Sequence, residues 1–319
     1  MNLKSPHLSI VIRVVGGGAF LERCLLNLLP QTRDQNIEII VPYDATIAEI
    51  KTLAPRFPQV VFQEMRAVPS IAAVSPGARH HLYDRRSTAG FHAARGEIIC
   101  QLEDYAIPNP DWCAQIIHAH RELEHAVIGG AVEHAGQGAL NWALYFLDFG
   151  RYQLPLREGA VAFLTDVNVS YKRRALEMVR EHWAERYNEV NVHWALLAKN
   201  VTLWQRPQIV VHEDRGTLSF TRALQERYEW GRVFGSMRAR EVSLARRVFL
   251  IVASPLLPLV LVWRIAYRVM TTRRHRRAFL RALPFALLMA AAWSLGEAAA
   301  YLTGREMASP ALAHSFENT

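Results

Sequence analysis

Two adjacent carboxylates, Glu103 and Asp104, directly follow a short apolar run that ends at Leu102, and a Pro-Asn-Pro-Asp turn comes soon after them. The turn after a buried strand exposes the side chains at its end, so these two acids could hold a divalent cation. Hard cations such as Mg²⁺ and Mn²⁺ prefer oxygen ligands and keep phosphate oxygens in their shell. The chemistry indicated is recognition of a diphosphate. The alternative is an ordinary solvated acidic turn.

Short β-branched runs alternate with helical patterns along the first half of the chain. The run from Leu8 to Val15 ends at three glycines, the run from Ile37 to Val41 leads to Asp44, and helix-like spacing follows each run. This alternation predicts a mainly parallel α/β sheet with helices on its faces. Ligands of such sheets bind beyond the carboxyl ends of the strands, where this aspartate and the two acids above all fall. Residues 136–159 are aromatic-rich and irregular, and no element is predicted there.

Five segments, in collinear order, resemble the family 2 glycosyltransferases. They are SIVIRVVGGGAFLERCLLNLL, IEIIVPYD, AGFHAARGEIICQLEDYAIPNPDW, DVNVSYKRRAL and YNEVNVHWALL. The resemblance covers roughly residues 8 to 235. It implies the GT-A fold, which is Rossmann-like, and the transfer of a sugar from a nucleotide-diphosphate sugar with inversion at the anomeric carbon.

The resemblance implies a role for each acid in these segments. Asp44 would hydrogen-bond the nucleotide base, while Glu103 and Asp104 would face the diphosphate and its metal. Glu189 would be the general base that takes the proton of the acceptor hydroxyl. Displacement with inversion needs one base opposite the leaving group, and a carboxylate suits that role. The alternative for Glu189 is a helix-start charge, since an acid there favours the helix dipole.

Other candidate residues match the family pattern loosely or depart from it. Arg13 stands where the family usually has proline, and it joins Asn168 and Arg232 among the predicted nucleotide-sugar-binding residues. His212, at the end of an apolar run, is predicted with Asp104 as a metal ligand. The alternatives are a polar strand face for Asn168, a basic residue facing lipid headgroups for Arg232 and an ordinary edge histidine for His212.

Two substitutions alter the family's motifs. Tyr105 replaces the last acid of the DxD motif, and Thr88 replaces the asparagine of the N-x-G helix, in which Gly90 is retained. The predicted cofactor is a divalent cation, Mg²⁺ or Mn²⁺, and Tyr105 leaves it one acid fewer than the motif supplies.

The formal net charge is +8, and arginines concentrate after residue 215, beside the two most apolar segments of the chain. This distribution favours anionic membrane lipids as a partner and argues against nucleic acid. No zinc-finger spacing or RNA-binding strand signature is present in the sequence. Three cysteines without a C-x-x-C motif fit a reducing compartment.

The predicted organisation is a GT-A catalytic domain over residues 1–215, a basic amphipathic helical linker over 216–247, and a membrane-associated helical hairpin and tail over 248–319. The apolar segments Val248 to Trp263 and Ala282 to Gly296 are shorter than the ~20 residues that cross a bilayer. Two true spans would also place the basic segment TTRRHRRAFLRA against the positive-inside rule. A re-entrant or in-plane hairpin that meets anionic lipids is therefore predicted. A helical pair packed on the soluble domain and a two-span hairpin are the alternatives.

The predicted reaction transfers the sugar to a hydroxyl of a lipid-linked or polymeric acceptor, as in cell-envelope polysaccharide synthesis, at the cytoplasmic face of the cell membrane. One alternative is transfer to a polyprenyl phosphate, which needs no strong base. The other is a non-catalytic GT-A module that binds nucleotide, which the tyrosine in the DxD motif motivates.

Overall fold

The computed structural model describes residues 5–33, 35–65 and 76–303. The chain divides between two compact units, one spanning Met1–Ile71, His81–Glu133 and Tyr152–Asp214, the other Ala72–His80, His134–Arg151 and Arg215–Thr319. The last part of the predicted tail, residues 304–319, lies outside the described residues.

Among the described residues, nine strands form one mixed sheet. They are β1 (Leu8–Arg13), β2 (Ile37–Tyr43), β3 (Val61–Glu64), β4 (Ile98–Glu103), β5 (Ala106–Pro108), β6 (Val127–His134), β7 (Gly159–Val161), β8 (Asn168–Lys172) and β9 (Leu203–Glu213). The order is β3-β2-β1-β4-β8-β6-β9-β5, with β7 beside β9. Strand β1 is parallel to both β2 and β4, and β2 to β3. The pairs β4–β8, β6–β8, β5–β9 and β7–β9 are antiparallel.

Helices follow the strands in chain order. They are α1 (Gly18–Leu28), α2 (Ile50–Leu53), α3 (Pro76–Ala93), α4 (Trp112–Glu122), α5 (Gly138–Asp148), α6 (Arg173–Met178), α7 (Glu189–Ala198), α8 (Phe220–Glu241), α9 (Leu244–Ala253), α10 (Leu257–Thr272) and α11 (Arg276–Thr303). The predicted α/β fold class, with two apolar C-terminal helical segments after the sheet, is confirmed. The sheet is mixed because the strands after β4 return antiparallel.

The core of the first unit lies against the buried strands of the sheet. Strand β1 is buried along its whole length, and Val11, Ile40 and Ile99 of neighbouring strands join one apolar cluster with Phe91 of α3 and Tyr187, just before α7. This packing fixes α3 and the segment that leads into α7 against the sheet.

The C-terminal helices are longer than the apolar runs from which they were predicted. Leu244–Thr272 has 29 residues and Arg276–Thr303 has 28, and by length and composition alone both could cross a membrane. The predicted apolar stretches, 16 and 15 residues long, are thus parts of longer helices. The sequence reading ended each run at a charged residue, Arg264 or Glu297, whereas the helices continue through those residues and α11 also contains Pro284.

Candidate functional site

The carboxyl ends of β1 and β4 carry two of the predicted site residues next to each other. In the parallel pairing of these strands Arg13 is the register partner of Glu103, so the last residues of both strands meet at one edge of the sheet. Arg13 and Glu103 are both buried. The sequence prediction that charged residues gather at the carboxyl edge is thus matched by the geometry at this point.

Arg13 is the centre of an ion cluster. Its Nη2 atom donates to Oε1 of Glu103 and, at 2.5 Å, to Oδ2 of Asp166, just before β8. Only 4% of the Arg13 side chain is exposed, so neither ion pair is screened by much water. Burial alone would lower the pKa of Arg13, but the charges of Asp166 and Glu103 outweigh it and hold the pKa well above the ordinary value. The guanidinium is a permanent cation in the site.

Glu189 begins α7 and lies within electrostatic reach of this cluster. Asn188 precedes it as the N-cap, and its side chain accepts a hydrogen bond from the backbone N–H of Asn191. Burial, followed by the negative charge of Asp166, raises the pKa of Glu189 to about 8, while Arg13 acts in the opposite direction. A carboxylate with such a pKa holds its proton more tightly than an exposed glutamate and is a stronger base once ionised.

Asp84 of α3 is a further acid of the cluster. It is buried, and Nε of Arg186 lies 3.5 Å from its Oδ2. Burial raises the pKa of Asp84 to about 8, although the charges of Arg13 and Arg186 lower it in part. Four carboxyl groups from β4, α3, α7 and the approach to β8 therefore interact with one buried guanidinium, and Asp84 and Glu189 favour their neutral form at neutral pH.

Asp104 has a different role in the structure. Its carboxylate accepts the backbone N–H groups of Val15 at 3.0 Å, Gly16 at 2.9 Å and Gly17 at 2.9 Å. Gly17 has φ +101°, a conformation that favours glycine and that turns these N–H groups toward one point. Burial raises the pKa of Asp104 to about 7, against the effect of the backbone hydrogen bonds. Asp104 thus fixes the glycine loop between β1 and α1.

Tyr105 packs where the family motif would carry its last acid. Its ring lies edge-on to Phe20 with centroids 4.8 Å apart. A side chain added at Gly16 would come within 2.3 Å of this ring, so the glycine is needed for the close approach. The residue that replaces the acid is therefore packed on the glycine loop.

The predicted cation ligands do not form a ready cation site. Glu103 binds Arg13, Asp104 binds three backbone amides, and Nε2 of His212 lies 3.1 Å from Oδ1 of Asn109. Within residues 5–33, 35–65 and 76–303, no group of three or more His, Cys, Asp or Glu side chains is placed to share an ion. A cation at this edge would have to displace the guanidinium or the amides.

Asp44 ends β2 and is held by a second arginine. Nε of Arg86 donates to Oδ2 of Asp44 at 2.8 Å, its Nη1 bonds the carbonyl oxygen of Val14, and Thr46 also donates to Asp44. Burial raises the pKa of Asp44, but the hydrogen bond and charge of Arg86 outweigh it and hold the pKa below the ordinary value. Asp44 is an ionised acceptor in a fixed position.

Asn168 and Arg232 are placed differently. Oδ1 of Asn168 accepts from the Trp112 indole N–H at 3.0 Å, and Nδ2 donates to the carbonyl oxygens of Ala131 at 2.8 Å and Ile209 at 3.0 Å. Asn168 thereby joins β8 to its neighbours. Arg232 belongs to the second unit, where Nη2 lies 3.5 Å from Oγ1 of Thr303. Their predicted contacts with the nucleotide sugar stay predictions.

Thr88 connects α3 to the segment that leads into α7. Its Oγ1 donates to the carbonyl oxygen of Trp183 at 3.1 Å and accepts the backbone N–H of Tyr187 at 2.8 Å. Tyr187 stands two residues before Glu189, so this threonine, in place of the family's asparagine, helps position the predicted base.

Sequence reasoning missed Asp84, Arg86 and Asp166. Asp166 opens DVNVSYKRRAL, which was recognised as a segment without a role for its first acid. Asp84 and Arg86 are buried charged residues of α3, and the sequence carries no signal for them, because nothing in it shows which face of a helix is covered.

Comparison with known proteins gives a family match. The family model described as "Glycosyl transferase family 2" matches residues 9–180. Among solved structures, S. aureus TarS 1–349 in complex with UDP is similar at 10% identity and TM-score 0.46, over 93% of this chain and 92% of that one. The mannosyltransferase PcManGT from Pyrobaculum calidifontis, in complex with GDP-Man and Mn²⁺, is similar at 14% identity and TM-score 0.45, over 99% of this chain and 80% of that one. No curated protein sequence matches the chain.

Proposed function

Because the chain belongs to glycosyl transferase family 2, it is a nucleotide-sugar glycosyltransferase, and we propose that it transfers the sugar with inversion to an acceptor hydroxyl. We further propose that the acceptor is lipid-linked or polymeric and that the reaction takes place at the cytoplasmic face of the cell membrane. The observation that carries the proposal is Glu189. It is a half-buried carboxylate at the start of α7, beside the buried Arg13 cluster.

Glu189 is the proposed general base. Its carboxylate takes the proton of the acceptor hydroxyl as the hydroxyl oxygen bonds to the anomeric carbon. The bond between that carbon and the donor's diphosphate oxygen breaks, and the nucleotide diphosphate leaves with the electron pair. Since burial and Asp166 raise the pKa of Glu189 to about 8, the ionised fraction, and with it the rate, should rise with pH up to that region.

The donor side of the proposal rests on Asp44 and on the Arg13 cluster. Asp44, ionised and fixed by Arg86, is the proposed partner of a base N–H group. Arg13 and Glu103 mark the proposed position of the diphosphate, at the carboxyl edge where parallel sheets bind phosphates. The divalent cation predicted from the sequence stays outside the mechanism, because its ligands are engaged by other groups.

The attachment of the enzyme to the membrane is proposed through the second unit. Helices α10 and α11 are apolar, and the segment between them is rich in arginine. Arginine near anionic headgroups favours the cytoplasmic leaflet. A lipid-linked acceptor would be presented at the same surface.

The test is a turnover screen of UDP-linked and GDP-linked sugars with the full chain in detergent, comparing wild type, Glu189→Gln and the matched control Glu185→Gln. Glu185 is exposed and lies four residues before the proposed base. We expect Glu189→Gln to lower kcat by about 10²–10⁴-fold, the usual contribution of a general base, and the control to keep its rate.

The other outcomes separate the alternatives. Full activity of Glu189→Gln would remove the base from the mechanism and favour a phosphate acceptor, which needs no strong base. Nucleotide diphosphate binding without turnover of any donor would contradict transferase activity and favour a nucleotide-binding module.

A further inference from the structure

Helices α9 and α10 present an apolar face to solvent over their whole length. Its members recur every three or four residues, the spacing of one helix face, and each is at least 42% exposed: Leu244, Val248, Val252, Leu256, Leu259, Trp263, Tyr267 and Met270. Only 6% of the most apolar window of this segment is buried. Soluble surfaces rarely carry a continuous apolar strip of this length, so the face needs a partner.

The charge of the same region identifies the partner. Residues 242–296 contain nine arginines and no aspartate or glutamate. Arg246 and Arg247 stand near the start of α9, Arg264 within α10, and Arg276 and Arg277 at the start of α11. A protein partner with an apolar face would cover the strip but would not need so many cations without acids. An anionic phospholipid surface meets both requirements, because it supplies hydrocarbon and phosphate a few ångströms apart.

The stretch without arginine within α9 and α10 is short for a helix that crosses the bilayer. Val248 to Trp263, the apolar stretch between Arg247 and Arg264, has 16 residues. At ~1.5 Å per residue it covers ~24 Å, which is less than the ~30 Å of hydrocarbon. A helix that lies in the plane of the bilayer has no such requirement, and its arginines reach the phosphates from the helix flanks.

Helix α11 packs against α8, a helix of the same unit that is rich in charged residues. Glu297 accepts from the Trp293 indole N–H at 3.2 Å and from the Tyr301 hydroxyl, and its Oε1 lies 3.5 Å from Nη1 of Arg238 in α8. A side chain at Gly296 would come within 1.9 Å of the Tyr228 carbonyl oxygen, so α8 and α11 are in close backbone contact.

The composition of α8 keeps this pair out of the hydrocarbon. Besides the partner of Glu297, α8 carries the charged residues Arg222, Glu226, Arg227, Glu229 and Arg232. Charged side chains in numbers are costly in the bilayer interior. Because α11 packs along α8, the C-terminal half of α11 stays at the level of α8 and does not reach the far side of a bilayer.

We propose that α9 and α10 lie in the plane of one leaflet of an anionic phospholipid bilayer, and that neither C-terminal helix crosses it. This proposal rests on the membrane attachment within the proposed function and adds the orientation of the helices relative to the bilayer. The exposed apolar face enters the upper acyl region, and the arginines of residues 246–281 lie at the level of the lipid phosphates.

The first experiment measures partition of the full chain from detergent onto phosphatidylcholine vesicles with and without about one third phosphatidylglycerol. We expect binding to the anionic vesicles that falls about tenfold in Arg276→Gln/Arg277→Gln, since each surface arginine contributes to attraction by anionic lipid. Val252→Asp, at a residue 73% exposed on the apolar face, should abolish binding to the anionic vesicles. Leu26→Asp is the matched control, at a residue 58% exposed on α1, and should bind like wild type.

The second experiment measures depth in those vesicles. Cysteine is introduced at Leu244, Leu259 or Met270 and labelled with a fluorophore whose quenching by lipid-borne quenchers reports depth. The three native cysteines are buried and are poor competitors for the label. An in-plane helix places all three labels within about 5 Å of one depth, near the headgroup–acyl boundary. A crossing helix places the label at Leu259 at least about 10 Å deeper than the other two.

Each outcome decides the proposal independently of the enzyme's activity. A deep central label would overturn the in-plane geometry while leaving membrane attachment intact. Absence of binding to both kinds of vesicle would refute the proposal that this apolar face binds a phospholipid bilayer. Donor turnover in detergent, measured on the same preparations, tests the proposed transferase reaction separately.

Discussion

Glu189 should reduce the stability of the protein at the pH where it is most useful as a base. Its pKa rises from 4.5 to about 8 on folding, chiefly through burial and the charge of Asp166. A carboxyl whose pKa is raised by folding favours the folded state only in its protonated form. The penalty is therefore absent below pH 4.5, grows as pH rises, and is complete above about pH 8.

The magnitude follows from the size of that shift. A change from 4.5 to about 8 corresponds, at about 1.4 kcal/mol per pKa unit, to an upper figure of about 5 kcal/mol. Glu189→Gln keeps the shape and polarity of the side chain but cannot ionise, so it should remove this penalty. We expect the variant to match wild type near pH 4 and to gain about 2–5 kcal/mol at pH 8 and above.

The assay is scanning calorimetry of the full chain in detergent at a series of pH values. A gain of this size should raise the unfolding temperature of the first unit by about 2–4 °C per kcal/mol. Glu185→Gln, at an exposed position, should track wild type at every pH. A difference between Glu189→Gln and wild type that does not grow with pH would refute the reasoning, because it would mean that Glu189 is ionised at little cost in the folded protein.

Three further predictions concern the nucleotide, the cation and the second unit. Arg86→Met should weaken nucleoside diphosphate binding about tenfold in calorimetry, because Asp44 loses the hydrogen bond that holds it in place. Unchanged affinity would contradict the proposed contact between Asp44 and the nucleotide base. Addition of EDTA should change the same affinity less than about threefold, whereas a loss of tenfold or more would show that donor binding itself assembles a cation site. Gly296→Ala, facing the Tyr228 carbonyl oxygen, should destabilise α8–α11 packing by at least about 2 kcal/mol in denaturant titration, and wild-type stability would contradict the close approach.

The elements of the first unit were readable from the sequence because their patterns are local. A β-branched run that ends in three glycines predicts a strand and a turn, and Ile98 to Leu102 followed by two acids predicts a strand end. Residues 138–148 were different. Trp142, Leu144, Tyr145 and Phe146 dominate this segment, so its aromatic content was noticed and α5 was not. The sequence also did not show that α11 continues past Glu297. This glutamate is buried because Trp293 and Tyr301 of neighbouring turns donate hydrogen bonds to it and Arg238 of α8 lies beside it.

The partners of the charged residues were the least predictable feature, since they are set by pairings far apart in the chain. Arg13 and Asp166 are 153 residues apart, and their contact exists only because β8 returns antiparallel beside β4. The same pairing brings the approach to β8 toward the start of α7. An acid there raises the pKa of Glu189, so the topology of the sheet bears on the strength of the proposed base.

The two acids that first indicated diphosphate chemistry illustrate why residue type alone does not fix a role. Glu103 lies at the last position of β4, opposite Arg13, and joins the ion cluster. Asp104 lies one residue further and accepts hydrogen bonds from the amides of the glycine loop. The backbone N–H groups of that loop therefore already bind a carboxylate of the protein. A donor diphosphate that used the same amides would have to displace Asp104, and one beside Arg13 would have to compete with Glu103 and Asp166 for the guanidinium, so either place requires an acid of the protein to move.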